Sequence, residues 1–287
     1  TTSMIITKLN LEDSLPLTCT RAGTCCHGKT VFLNPWELAN IANEKKLTVT
    51  KFAETYCEWG GIKLKFDGDS QFKNQSACSQ YIENFGCSVH LGRPLACRLY
   101  PLGRQIQHEK AQYIHQGKEF PCLASCPDVV ELPKMTVEEY LQDQSTKTYE
   151  SGQDLYLEVM QQLADIAFEL YLDSGLADSG NRETLVQWEK LGELSPEELP
   201  KTIRTDWLIA LTFPDIEEVK NPEVFIHTHA NTLFTKSQTE FGSIQTMKEL
   251  ETASILTMAI ALQLARSIGA NPKELSEHWV KTAKKHL

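Results

Sequence analysis

Eight cysteines in the first half of the chain have the type and spacing for thiolate–metal chemistry. Cys19 is followed, after five residues, by the adjacent pair Cys25-Cys26, with His27 and Gly28 completing the segment. Cys78, Cys87 and Cys97 form a second group, and Cys97 lies within Arg93-Pro94-Leu95-Ala96-Cys97-Arg98-Leu99-Tyr100-Pro101. Cys122 and Cys126, the latter followed by Pro127, form a third. Crowded thiolates repel one another, so several drawn into one region need a cation to neutralise them. A metal also contributes folding free energy to a loop-rich segment. Gly23 and Gly28 would let the backbone turn tightly around such a centre. Arg21, Arg93 and Arg98 lie close to the ligand candidates and are expected to donate hydrogen bonds to sulfur and tune the metal.

All nine cysteines fall between Cys19 and Cys126, and the 161 residues after Cys126 have none. An odd number does not suit a closed disulfide framework. The start of the sequence shows no basic segment followed by an apolar one, so a reducing, cytoplasmic setting is expected, where clustered cysteines serve metals or redox chemistry. The ninth, Cys57, sits late in a predicted amphipathic helix near Phe52 and Tyr56 and reads as a small apolar core residue. Zinc and iron–sulfur both accept three or four cysteines from distant segments. Adjacent residues seldom reach one zinc tetrahedron comfortably, but they can serve two irons of one cluster, and a cysteine followed by proline also ends the bacterial ferredoxin run. The residues therefore favour an iron–sulfur centre, such as 4Fe-4S, with zinc as the alternative.

Other signals are weaker. His227-Thr228-His229 could pair on a metal only if extended, and the surrounding pattern is helical, so ordinary histidines are expected. Gly23 to Thr30 spells the phosphate-loop pattern, but no buried strand precedes it and no helix is predicted to follow Thr30. No spacing supports Ser-His-Asp or Cys-His catalysis.

The elements that must position the cysteines differ between the two halves. In the first, Thr30–Leu33 reads as a strand, and Asn34-Pro35 caps a helix from Trp36 to Glu44. A second helix is predicted from Val49 to Glu58 with Thr48 as cap, then a strand over Ile62–Phe66, a turn at Asp67–Asp69 and a short strand over Gln112–His115. Pro121 to Pro133 marks a composition change, which sets a predicted boundary between 1–132 and 133–287. Beyond it, Thr136-Val137-Glu138-Glu139 is a capping box whose helix runs toward Tyr149. Gly152 then precedes an amphipathic stretch at Leu155, Val159, Leu163, Ile166 and Leu170. Further helices are predicted near 182–190, 196–211, 222–236, 244–268 and 272–284. The fold class is thus α+β, mainly helical: a small cysteine-rich metal-binding domain with short strands, followed by an all-α C-terminal bundle.

Of the 287 residues, 41 % are hydrophobic, enough for a real core. No run is apolar enough to suggest a membrane span. Residues 1–134 hold 15 Lys/Arg against 13 Asp/Glu and residues 135–287 hold 13 against 25, so the halves carry +2 and −12. The acidic half argues against a phosphate-tracking surface, and no nucleic-acid partner is expected. Solubility is the plain reading of that acidity.

The cysteine segments resemble the YkgJ-type cysteine-cluster family, a zinc- or iron-chelating domain shared with flagellin lysine N-methylases. The family's opening Cys-x2-Cys-x2-Cys-Cys is matched by Cys19, Cys25 and Cys26, with Ala22 in place of its second cysteine. Its later signature is matched by Cys87, Arg93, Pro94, Cys97, Arg98 and Pro101, with Cys78 matching the cysteine before it. The resemblance covers about residues 17–130 and implies a metal-binding role. Ala22 implies either one ligand fewer or a substitute such as Cys57 or His27. Whether the protein is an enzyme is left open by the sequence. Three readings follow: a metal-cluster protein in redox or metal handling; a protein lysine methyltransferase needing a donor such as S-adenosylmethionine and a protein substrate; and a structural zinc protein whose helical half binds a protein partner.

Overall fold

The computed structural model describes residues 6–15, 17, 23–107, 110–116 and 134–287. Cys19, Arg21, Ala22, Cys122, Cys126 and the Pro121–Pro133 boundary lie outside the described residues. The fold is α+β and mainly helical, as the sequence predicts.

The first half is made of short elements. Helix α1 (Pro35–Glu44) begins with a capping box: Glu37 N–H donates to Asn34 Oδ1, and Asn34 N–H donates back to Glu37 Oε1. Helix α2 (Val49–Tyr56) is capped by Thr48. The strands β1 (Ile6–Lys8), β10 (Lys110–Gln116) and β9 (Leu102–Gln107) form one antiparallel sheet in the order β1-β10-β9. Small antiparallel pairs complete the half: β2 (Ser14–Leu15) with β11 (Met135–Thr136), β3 (Cys57–Glu58) with β4 (Lys63–Leu64), β5 (Gly68–Phe72) with β6 (Gln75–Ala77), and β7 (Tyr81–Ile82) with β8 (Gly86–Cys87). Helix α3 (Leu95–Leu99) carries Cys97. The strand predicted at Thr30–Leu33 reduces to a single bridge, Phe32 to Lys63, because the partner segment pairs mainly with β3.

The second half is helical. Helix α4 (Val137–Asp143) starts at the predicted capping box on Thr136. Ser145 then takes a left-handed φ of 52°, and α5 (Lys147–Leu172) follows. The amphipathic stretch was predicted to begin after Gly152, yet α5 runs through this glycine. A Cβ there would meet the Trp36 ring at 3.2 Å, so glycine serves packing rather than a break. Helices α6 (Glu183–Glu193), α7 (Thr205–Thr212), α8 (Pro222–Phe241), α9 (Met247–Ser267) and α10 (Pro272–Lys284) complete the bundle. The single helix predicted over 196–211 is instead a 3-10 turn, Leu199–Thr202, and then α7. Pro200 has no N–H to offer a helix interior, and the buried Ile203 is extended between the two pieces.

Helix α9 is buried on nearly every side from Thr257 to Ser267, as a central helix of a bundle must be. It runs antiparallel to α5: Ser254 Oγ donates to Ala167 O at 2.9 Å, and Gln153 Nε2 donates to Ile268 O at 2.7 Å. The larger core draws on both halves, joining Trp36, Leu95, Leu99 and Leu102 to the helical side chains. A smaller core under the cysteines holds Val31, Leu33, Leu38, Ile41, Phe52 and Cys57.

Candidate metal centre

Four separate stretches of backbone deliver five cysteines to one cavity. Cys25 and Cys26 sit on a 3-10 turn, Thr24–Cys26, entered through Gly23 at φ 76°. A Cβ on Gly23 would lie 2.5 Å from the Tyr81 ring, so both the left-handed backbone and the close approach require glycine. Cys78 follows β6 and its N–H donates to Cys26 O at 2.6 Å, which pins the second stretch to the first. Cys87 ends β8, opposite Tyr81 in the register of the β7–β8 hairpin. Cys97 lies in α3. These five residues line a cavity of about 750 Å³, together with Lys29, Glu37 and Arg93. Its wall continues into the helical half at Gln153 and Ser267–Gly269.

The thiols sense one another. The Cys26 thiol donates to Cys25, which lowers Cys25 to about 6 against the opposing effect of burial, with help from the charges of Lys29 and Arg93. That same hydrogen bond raises Cys26, and burial and the other cysteines raise it further. Burial, with the charges of Cys78 and Cys87 behind it, pushes Cys97 up. Burial also takes Cys78 up to about 11, although Gln80 N–H donates to its sulfur at 3.5 Å. On its own this pocket therefore stabilises one thiolate, and only an added cation would make several favourable. Lys29 Nζ lies 2.6 Å from the centroid of the Tyr100 ring, a cation–π contact on the cavity wall.

The two positions named as substitutes for Ala22 are otherwise engaged. Cys57 belongs to the smaller core, at 7 % exposure, and burial raises its thiol to about 12. His27 is buried, with Nδ1 bonded to Gly23 O at 3.0 Å and Nε2 to Ser70 Oγ at 3.1 Å, so both ring nitrogens already have partners.

The arginines depart from the expectation of bonds to sulfur. Arg98 donates to the carbonyls of Arg93, Leu91 and Gln144 and to Tyr149 Oη, with its guanidinium 4.0 Å from the Tyr149 ring centroid. It ties the Cys97 helix to α4 and α5. Arg93 donates to His90 O and Gln144 Oε1, and only its charge reaches Cys25.

Glu37 is the site residue that sequence reasoning missed. One carboxylate oxygen closes the α1 capping box, and the other accepts from Leu95 N–H, the first residue of α3, at 2.6 Å. Complete burial raises this carboxyl to about 7. The capping box was written in Asn34 and Glu37, but its second task depends on a residue 58 positions away. The remaining signals resolve plainly. His227 is exposed and His229 buried on α8, so they share no face. Val31 to Asn34 is not helical after Thr30, so no phosphate loop forms.

The donor set is of one chemical kind, sulfur, which fits a thiophilic metal. Among the described residues, no three His, Cys, Asp or Glu side chains converge on a single ion position. Fold and site together define a cysteine-cluster metal-binding protein. Residues 18–119 match the family model CxxCxxCC, described as "Putative zinc- or iron-chelating domain", and that segment of the chain is similar to this family. No curated protein and no solved structure matches the chain. No helix among the described residues is long and apolar enough to cross a membrane.

Proposed function

We propose that the chain binds an iron–sulfur cluster through thiolates drawn from Cys19, Cys25, Cys26, Cys78, Cys87, Cys97, Cys122 and Cys126, and that it works in electron transfer or metal handling. One observation supports this reading above the others. Five thiols from four stretches of backbone share one roomy cavity, more sulfur donors than the four that one zinc tetrahedron takes. A single zinc ion needs its donors at about 2.3 Å, all around one centre. A cluster has several metal atoms and so accepts thiolates that stand further apart. Lys29 and Arg93 put positive charge beside the sulfurs, which offsets the negative charge of a thiolate-ligated centre. Structural zinc is the competing reading. Among the described residues, no feature of the fold favours lysine methyl transfer.

The test is elemental and sulfide analysis of the chain purified without oxygen, with its visible absorption spectrum. Iron and acid-labile sulfide in comparable amounts, with a broad visible band that bleaches on reduction, are the expected result. A colourless protein with stoichiometric zinc would replace the proposal with the structural-zinc reading. A fully folded protein empty of transition metals would remove both.

A further inference from the structure

Arg104 lines the cysteine-rich cavity and also a second, larger concavity of about 1870 Å³, bounded by the β9–β10 hairpin, α5 and α10. Its surface includes the half-buried apolar side chains Leu157, Phe168, Leu172 and Leu275. Exposed carboxylates flank them: Glu158, Asp165 and Glu169 on α5 and Asp173 at its C-cap, with Glu274 and Glu277 on α10. Steps of seven, four and four residues keep the α5 carboxylates on one helix face. Among the described residues no salt bridge engages these four, whereas Asp154 nearby is taken by Arg104 at 2.7 Å. Lys110 and Lys281 supply positive charge to the same groove and leave the acids in excess.

We propose that this groove docks a Lys/Arg-rich amphipathic segment of a partner protein. Apolar floor and acidic rim make complementary demands. The floor rewards apolar side chains and the rim rewards cations, and a basic amphipathic helix presents both. From Glu158 to Asp173 the groove runs about 22 Å along α5, the length of a helix of about 15 residues. A second copy of this chain is a poor occupant because each copy carries a net charge of −10. Anionic lipid and nucleic acid meet the same repulsion.

The probe is a fluorescently labelled peptide of about 15 residues, with Lys and Arg on one helical face and Leu on the other, titrated with the full chain as purified. Saturable binding is expected, weakening by about tenfold or more between low and high salt. The variant Glu158→Gln/Asp165→Asn/Glu169→Gln should bind about tenfold more weakly, with an unchanged circular dichroism spectrum, because these side chains are exposed. Leu275→Ser should also weaken binding, since the floor contributes. The proposal is overturned if the triple variant binds as tightly as the parent, if spermine competes as well as the peptide, or if no saturable binding occurs at low salt. A self-association of the free chain that the triple variant abolishes would place a second copy in the groove and overturn it equally.

Discussion

The buried carboxyl of Glu37 makes a prediction that can be worked from the structure. Glu37 joins α1 to the first residue of α3, and so fixes the short helix that carries Cys97. Its folded-state value stands near 7, raised from 4.5 chiefly by burial, while Leu95 N–H, Asn34 N–H and Arg98 pull the other way. Between these two values the folded chain holds a proton that the unfolded chain releases. Stability from this group is therefore complete below about pH 4.5 and is lost as pH rises through 7. The rise from 4.5 to about 7 corresponds to about 3 kcal/mol. Glu37→Gln removes the titration but keeps the shape and one acceptor. At low pH it resembles the protonated acid, with an amide N–H facing one backbone donor. As pH rises, the variant should gain on the parent by up to about 3 kcal/mol, with most of the change between pH 5 and 8. The assay is urea unfolding of both proteins without oxygen at several pH values, reading the difference between them so that other titrating groups cancel. A difference that stays flat from pH 5 to 8 would refute the assignment of a neutral, buried Glu37 near pH 6.

Three further outcomes follow from single contacts. Arg98→Lys should destabilise the chain by about 3 kcal/mol in thermal or urea unfolding, because an ammonium cannot reproduce a planar fork serving three carbonyls and a phenol. His229 is buried with Tyr156 Oη on Nδ1 and Ala210 O accepting from Nε2, and burial lowers it to about 4; stability should therefore fall as pH drops from 6.5 toward 4, and His229→Gln should flatten that limb of the pH–stability curve. Cys57→Ala should lose about 1–2 kcal/mol of stability and keep its full metal content, whereas Cys97→Ala should lose metal by elemental analysis.

Much of this architecture was legible in local sequence. Caps at Asn34, Thr48 and Thr136 predicted helix starts that the structure reproduces, because each is decided within one turn of chain. Elements whose fate depends on distant packing were less legible. Gly152 looks like a break until Trp36 is placed against it. The segment 196–211 has helical periodicity, but Pro200 and the extended Ile203 divide it. At the centre, Cys25, Cys26, Cys78, Cys87 and Cys97, which the sequence names as ligand candidates, line one cavity. The roles of Arg98 and Glu37 were not readable there. Both side chains serve backbone groups that only the folded chain brings near, Gln144 O for one and Leu95 N for the other.

Those same contacts bear on whether the helical half is self-sufficient. A composition change near residue 132 invites cutting the chain there, yet the packing crosses that point. Trp36 packs tilted against Tyr149 with ring centroids 4.9 Å apart, and its indole N–H donates to Val219 O at 2.8 Å. Trp36, Leu95, Leu99 and Leu102 belong to the same core as the bundle and are each 5 % exposed or less. Burying such side chains contributes about 1.5–3 kcal/mol each, so the four together amount to as much as about 6–12 kcal/mol. That is comparable with the whole net stability of a typical domain, about 5–15 kcal/mol. A fragment of residues 133–287 should therefore bind an apolar dye and unfold over a broad, weakly cooperative transition. The full chain should do neither. A fragment that unfolds as sharply as the full chain, at the same urea concentration and without dye binding, would show that the bundle needs nothing from the cysteine-rich half.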